Sequence, residues 1–147
     1  MIIREMSLKD LDTVVDLEKE LFSDPWSYKS FLHEITNNQI SHYFVLENEN
    51  IIIGYFGFII VLDECQIYNI AVAKEFQSRG YGKKMIEFII DFCKKKDVKW
   101  IILEVREYNF PALELYMKYG FKKAARIQGY YRHPLEDGIL MKLELRE

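Results

Sequence analysis

Between Ser41 and Val72, three runs rich in β-branched and aromatic residues follow one another closely: Ser41 to Glu47, Ile51 to Leu62 and Gln66 to Val72. Little more than the turn-like Asn48-Glu49-Asn50 and the acidic Asp63-Glu64 intervenes. Connections this short join antiparallel neighbours, because parallel strands need a crossover of roughly a dozen residues or more. The next apolar run, Trp100 to Val105, comes only after Met85, Ile86, Phe88, Ile89 and Phe92, whose helical spacing predicts that they face a core. The chain therefore has to combine hairpins with one crossover helix, and that combination gives a mixed sheet.

The remaining segments fit around that centre. Ile2 and Ile3 begin a short strand, and Ser7 can cap a helix carrying Leu8, Leu11, Val14, Val15, Leu21 and Phe22 at roughly helical spacing. Asp24-Pro25 ends it, and Ser27 can cap a second helix with Phe31, Leu32 and Ile35 inward, which the polar run Thr36 to Gln39 breaks. Pro111 opens another helix through Leu115 and Tyr119, and Gly120 stops it. Two closing strands are expected, Lys122 to Gln128 and Ile139 to Leu145, joined by a loop holding Tyr130, Tyr131, Arg132, His133 and Pro134. The order β-α-α-β-β-β-α-β-α-β-β predicts an α+β fold, a mixed sheet with helices on both faces. A chain of 147 residues, half of it hydrophobic, can bury one sizeable core, so a single domain over 1–147 is expected.

A formal charge of −3 gives no general pull toward polyanions, so no nucleic-acid partner is expected. Lys94, Lys95, Lys96 and Lys99 cluster at the close of a helical pattern, where cations suit the negative end of the dipole. Cys65 and Cys93 lie far apart without CxxC spacing and read as reduced, buried thiols of a cytoplasmic protein. His33, His42 and His133 share no ligand spacing, so no metal is expected. MIIREMSLKDLD at the N-terminus carries acids early and lacks a long apolar core, which fits neither a secretory signal nor a transit peptide. Ile51 to Leu62 contains glycines and is too short to cross a bilayer as a helix, so no membrane is expected.

The first chemical suspect is Gln77-Ser78-Arg79-Gly80-Tyr81-Gly82, between a strand and a helix. Glycines there let backbone N–H groups approach a phosphate, and a helix N-terminus adds positive potential. No GK[ST] follows, so it is not a Walker A loop, and the incomplete GxG lacks the third glycine and acidic partner of a dinucleotide fingerprint. By itself such a loop is more often a plain helix-leading turn. Its context is Asn69-Ile70-Ala71-Val72 before it, and after it Leu103-Glu104-Val105-Arg106, Asn109, Pro111, Ala112, Leu115-Tyr116 and Gly120-Phe121.

In order and spacing these blocks resemble the acetyl-CoA core of the GNAT superfamily. Together with Pro25-Trp26-Ser27, Arg126 and Tyr130-Tyr131, they extend the likeness over nearly the whole chain to bacterial ribosomal-protein-alanine N-acetyltransferases of RimI type. The resemblance implies a GNAT fold with a mostly antiparallel sheet of about seven strands, acetyl-CoA as co-substrate and the N-terminal peptide of a ribosomal protein, the eighteenth of the small subunit, as acceptor. It also implies that the strand with Ile70, Ala71 and Val72 splays from its neighbour and offers backbone donors to the thioester and pantetheine. Gln77, Ser78, Arg79, Gly80, Tyr81, Gly82 and Lys83 would then hold the pyrophosphate, with Asn109 and Ala112 along the cofactor's arm. Glu104 would be the general base, Tyr116 the general acid toward the departing sulfur, and Tyr130 and Tyr131 the wall of a peptide channel.

The chemistry is consistent with those roles. An α-amine with a pKa near ~8 must lose a proton before it attacks a thioester. Glu104 stands in an otherwise apolar strand, where a carboxylate needs a task or a partner; its bland reading is a solvated strand end or a pair with Arg106. Tyr116 could equally be a core aromatic with one hydrogen bond, and Tyr130-Tyr131 a pair shielding a sheet edge. Cys65 adjoins Asp63 and Glu64, which oppose thiolate formation, so direct transfer in a ternary complex is favoured over a covalent enzyme intermediate. Two positions depart from the pattern: Tyr108 stands where a small residue commonly precedes the Asn, and Gly138 replaces a usual Ala beside Asp137. The rival readings are a GNAT acting on lysine or a small amine, and a non-catalytic acyl-CoA-binding module that uses Tyr130 and Tyr131 as an interface.

Overall fold

The computed structural model describes residues 1–145. Its elements are β1 (Ile2–Glu5), α1 (Leu11–Leu21), α2 (Tyr28–Thr36), β2 (Ser41–Asn48), β3 (Ile51–Val61), β4 (Glu64–Val72), α3 (Tyr81–Lys95), β5 (Trp100–Arg106), α4 (Phe110–Lys118), β6 (Lys122–Arg132) and β7 (Leu135–Glu144). The strands form a seven-stranded sheet in the order β1-β2-β3-β4-β5-β7-β6. This is the element order expected from the sequence. Two compact units are distinguished, one of Met1–Ile59 with Ile67–Ile86, the other of Ile60–Gln66 with the chain from Glu87 on.

In the first unit, β1 and β3 pair antiparallel with β2. The β2–β3 turn takes positive φ at Glu49 and Asn50, which matches the right-handed twist of a tight hairpin. Leu11, Val14 and Val15 of α1 and Phe31 of α2 pack with Tyr43, Val45 and Tyr55 of the sheet. Ser7 opens not α1 itself but a single 3-10 turn, Leu8–Asp10. The Asp10 carboxylate accepts the Ser7 N–H at 2.8 Å and the Arg4 guanidinium at 2.8 and 2.9 Å, which fixes that turn. Leu8 is consequently 57% exposed instead of inward, and Phe22, one residue beyond α1, is also exposed.

In the second unit, β5 pairs in parallel with β4 through Glu64, Cys65 and Gln66, and antiparallel with β7, which in turn pairs with β6. Ile101, Leu103, Leu113, Phe121, Met141 and Leu143 are buried there. On α3, the buried stripe is Met85 and Ile86 in the first unit and Ile89 and Cys93 in the second, whereas Phe88 and Phe92 are half-buried and stack on each other at 6.3 Å. Cys65 and Cys93 are both buried as expected; contact with Cys93, then burial, pushes the Cys65 thiol up, away from thiolate chemistry. Lys94, Lys95 and Lys96 are exposed, and Lys99 lies over the Trp100 ring at 5.5 Å.

Candidate functional site

In the first unit, the chain leaves β4, makes a 3-10 turn over Lys74–Phe76 and reaches α3 through Gln77 to Gly80. Ser78 and Gly80 have φ of 63° and 87°. Alternation of such residues with ordinary ones turns successive N–H groups toward one concavity, the geometry of an anion nest. A Cβ at Gly80 would meet nothing within 4 Å, so this face of the turn is open. The first turn of α3 carries no acid, and Ser78, Arg79 and Lys83 are exposed. Arg79 rests over the Phe76 ring at 5.3 Å. Gln77 is exposed as well, but its amide donates to the Val72 carbonyl at 2.9 Å and ties the loop to the end of β4. An open nest on a helix N-terminus, flanked by cations, fits a pyrophosphate.

The same unit holds Ile70, Ala71 and Val72. Their strand runs hard against β3: a Cβ at Gly54 would stand 2.7 Å from the Ala71 carbonyl oxygen, so only glycine leaves room for that approach. Ala73 N–H donates to the Ile53 carbonyl at 2.8 Å and secures the strand's end.

In the second unit, Glu104 is half-buried in mid-β5, between buried Leu103 and Val105. Burial pushes its carboxyl above the ordinary glutamate range. It does not pair with Arg106, as the bland reading supposed: among the described residues, that arginine's ion pair is with Glu136, at 3.1 Å. Tyr116, on α4, is 5% exposed, with Phe121 at 5.7 Å between ring centres, and burial pushes its phenol up. Among the described residues no hydrogen bond engages the Tyr116 hydroxyl, and no fully buried side-chain oxygen is left without a partner. Tyr131 is pushed up to about 12, chiefly by burial, with Tyr130 and Glu104 adding to the shift; Tyr131 in turn contributes to the rise at Tyr116. Glu104, Tyr116 and Tyr131 thus share one electrostatic neighbourhood.

Tyr130 and Tyr131 lie in β6 itself, not in the loop expected after Gln128, because β6 runs on to Arg132. Gly129, φ 63°, falls within a register shift between Ile127 and Tyr131. It bends the strand instead of ending it. The two rings meet edge to face at 4.9 Å. Gly138 is explained by its neighbour: a Cβ there would stand 3.0 Å from Tyr130 Cβ and 3.1 Å from its ring. Arg126 joins Glu107 and Asp137, each at 2.6 Å, and Asp137 also accepts the Gly129 N–H at 2.8 Å.

Asn109 caps α4, its side-chain oxygen accepting the Ala112 N–H at 3.3 Å. That leaves the Asn109 amide nitrogen as a donor toward a ligand. Tyr108 is 65% exposed, with its N–H bound to Glu136 at 2.8 Å. Arg106, expected from the residues only as a possible partner for Glu104, instead contacts the β6–β7 hairpin at residues 27 to 30 positions away.

Residues 11–121 match the profile of the Acetyltransferase (GNAT) family. A relative in Bacillus subtilis (strain 168), provisionally named a [ribosomal protein bS18]-alanine N-acetyltransferase, is 37% identical over 145 residues, 99% of this chain and 96% of its own. The [ribosomal protein bS18]-alanine N-acetyltransferase of Escherichia coli (strain K12) is 33% identical, over 97% of both chains. The crystal structure of the ribosomal-protein-S18-alanine N-acetyltransferase from Escherichia coli superposes with a TM-score of 0.91 at 30% identity, covering 99% of this chain and 94% of that one. The NatC complex bound to Gag peptide and CoA shares the fold, with a TM-score of 0.83 at 22% identity over 99% and 98% of the two chains.

Proposed function

Because the chain belongs to the GNAT family of acetyltransferases, we propose that it transfers the acetyl group of acetyl-CoA to the α-amine of an N-terminal alanine, with ribosomal protein bS18 the acceptor to which its relatives' names point. Residues 1–147 act as one acetyltransferase domain in this reading. Acetyl-CoA, the donor used by this family, supplies an activated thioester. Ser78 to Lys83 cradle its pyrophosphate on the open nest, and Gln77 holds that loop to β4. Backbone groups of Ile70, Ala71 and Val72, the Asn109 amide and Ala112 steady the acyl arm. Oxyanion donors of this kind contribute on the order of 10²- to 10³-fold each in acyl transfer.

Glu104 takes the proton from the incoming ammonium, directly or through water, and its raised pKa makes it a stronger base than a solvated glutamate. Tyr116 returns a proton to the departing sulfur. Its hydroxyl suits that task because no neighbour among the described residues occupies it. Tyr130 and Tyr131 flank the peptide's N-terminus. The observation that carries this reading is Glu104: half-buried on an apolar strand, shifted toward protonation, and engaged by no ion pair among the described residues. A structural carboxylate in that position would be expected to have a partner.

A thiol-release assay tests the proposal with three acceptors: a peptide with a free N-terminal alanine, the same peptide N-blocked, and a panel of internal lysines. Turnover is expected with the first alone. Activity that survives N-blocking would transfer the acceptor role to lysine. CoA binding without turnover of any acceptor would leave a binding module and end the enzymatic reading.

A further inference from the structure

Arg106 closes β5 opposite Gly138 of β7, with its side chain a quarter exposed. Its guanidinium lies 4.4 Å from the centre of the Tyr131 ring. The same group donates to the Pro134 carbonyl at 3.0 Å, to the His133 carbonyl at 3.2 Å and to the Glu136 carboxylate at 3.1 Å. Glu136 in turn accepts the Tyr108 N–H at 2.8 Å. One side chain therefore holds the β6–β7 turn by its backbone and supports the ring of Tyr131 two residues before that turn begins. An ion pair with Glu136 alone would contribute little at a partly exposed position. What needs explanation is the combination of a flat cation under an aromatic ring and a fork aimed at consecutive carbonyls, and only arginine can make both at once.

Resting on the N-terminal acetyltransferase reading above, we propose that Arg106 is a positioning residue for the acceptor: by seating Tyr131 and clamping the hairpin turn, it sets where the peptide's N-terminus lies relative to Glu104. It touches neither acetyl-CoA nor the reacting atoms. Its effect passes through Tyr131, whose ring it supports from 4.4 Å. A misplaced ring costs binding of the acceptor first, because the carboxylate and phenol that carry out the proton transfers stay where β5 and α4 put them.

The test compares wild type, Arg106→Lys and Arg106→Ala with an alanine-starting peptide, together with acetyl-CoA affinity by calorimetry and thermal unfolding. Arg106→Lys keeps the charge and loses the fork and the flat face, so the peptide KM is expected to rise about tenfold while kcat changes less than about threefold. The acetyl-CoA Kd should stay within about twofold of wild type. In a Tyr131→Leu background, adding Arg106→Lys should raise the peptide KM little further, since the ring it seats is already gone. A lysine variant with the peptide KM of wild type overturns the proposal. So does a loss in which kcat, acetyl-CoA affinity and unfolding temperature fall together, the pattern of a merely structural residue. Should Arg106→Ala fail to fold, the lysine variant and the double variant decide alone. Wild type that binds acetyl-CoA but acetylates no alanine peptide removes the functional reading instead, which separates the two failures.

Discussion

Glu18 and Glu104 are glutamates drawn out of water to different degrees, and burial pushes both carboxyls toward protonation. Their surroundings differ in what completes them. Glu18, on α1, is 3% exposed and accepts the Tyr55 hydroxyl at 2.5 Å and the Trp26 N–H at 2.9 Å. Nearby, the Tyr43 hydroxyl donates to the buried Asn69 side chain at 2.7 Å. Glu104 stands where two such donors would fit the logic of a core, and no ion pair among the described residues engages it. The same direction of shift thus accompanies a completed polar node in one unit and, in the other, a carboxylate engaged by no ion pair among the described residues. Burial alone does not separate structure from chemistry; the inventory of partners does.

The sharpest way to break that contrast is to remove each carboxylate's function in turn. Glu104→Gln is expected to lower kcat/KM by about 10²- to 10⁴-fold, the usual range for a general base, with the unfolding temperature and acetyl-CoA affinity unchanged. Tyr116→Phe, which deletes a hydroxyl that no hydrogen bond engages among the described residues, should lower turnover by a comparable or smaller factor and leave folding intact. Full activity in both variants would remove the distinction. The pH profile sharpens it further. Glu104 must be ionised to accept a proton, so the acidic limb of kcat/KM should lie above the ordinary glutamate value and disappear in the Gln variant.

Glu18→Ala should reverse the pattern. It strips the Tyr55 hydroxyl and the Trp26 N–H of their acceptor and leaves a void, at a cost of about 2–4 kcal/mol of stability. For a chain of this size that corresponds to a fall of roughly 5–15 °C in the unfolding temperature. Chemical denaturation checks it, and a variant as stable as wild type would mean that the node contributes nothing.

The sequence made the first half of this contrast hard to see and the second half easier. Hairpin turns, the helix stop at Gly120 and the open Gly80 are local, so residue types reveal them directly. Glu104 could be singled out because the motif around it resembles the acetyl-CoA core of the GNAT family; as a lone carboxylate in an apolar strand it would have passed for a solvated strand end. Glu18 sits in a helix full of acids, and only its contact with a tyrosine 37 positions away distinguishes it. The sequence pattern ends β6 too early, at Gln128, for a related reason: where a strand is bent and where it ends look alike until the partner strand's register is known. Phe88 and Phe92 have helical spacing yet lie beside the buried stripe, since spacing fixes a face but not its width. The contacts of Arg106 could not be read because everything it holds is assembled by the β6–β7 hairpin.

The smallest expected effect belongs to Glu18→Gln, and it tests whether the two carboxyls share a starting point at all. A glutamine can still accept the Trp26 N–H and can donate to Tyr55, whose hydroxyl rotates to suit, so the change near neutral pH should stay within about 1 kcal/mol. The pH dependence carries the information. With a raised pKa, the folded state holds the Glu18 proton more tightly than the unfolded state does. The stability from this group is therefore complete below the ordinary glutamate value and is lost as pH rises through the raised one. A variant that cannot titrate lacks this contribution, so the advantage of wild type over Glu18→Gln should shrink as pH rises from below the ordinary glutamate value through the raised one. Denaturation at both ends of that range measures the slope. An advantage that grows with pH would mean that the two donors outweigh burial and hold Glu18 ionised, leaving Glu104 alone in its shift.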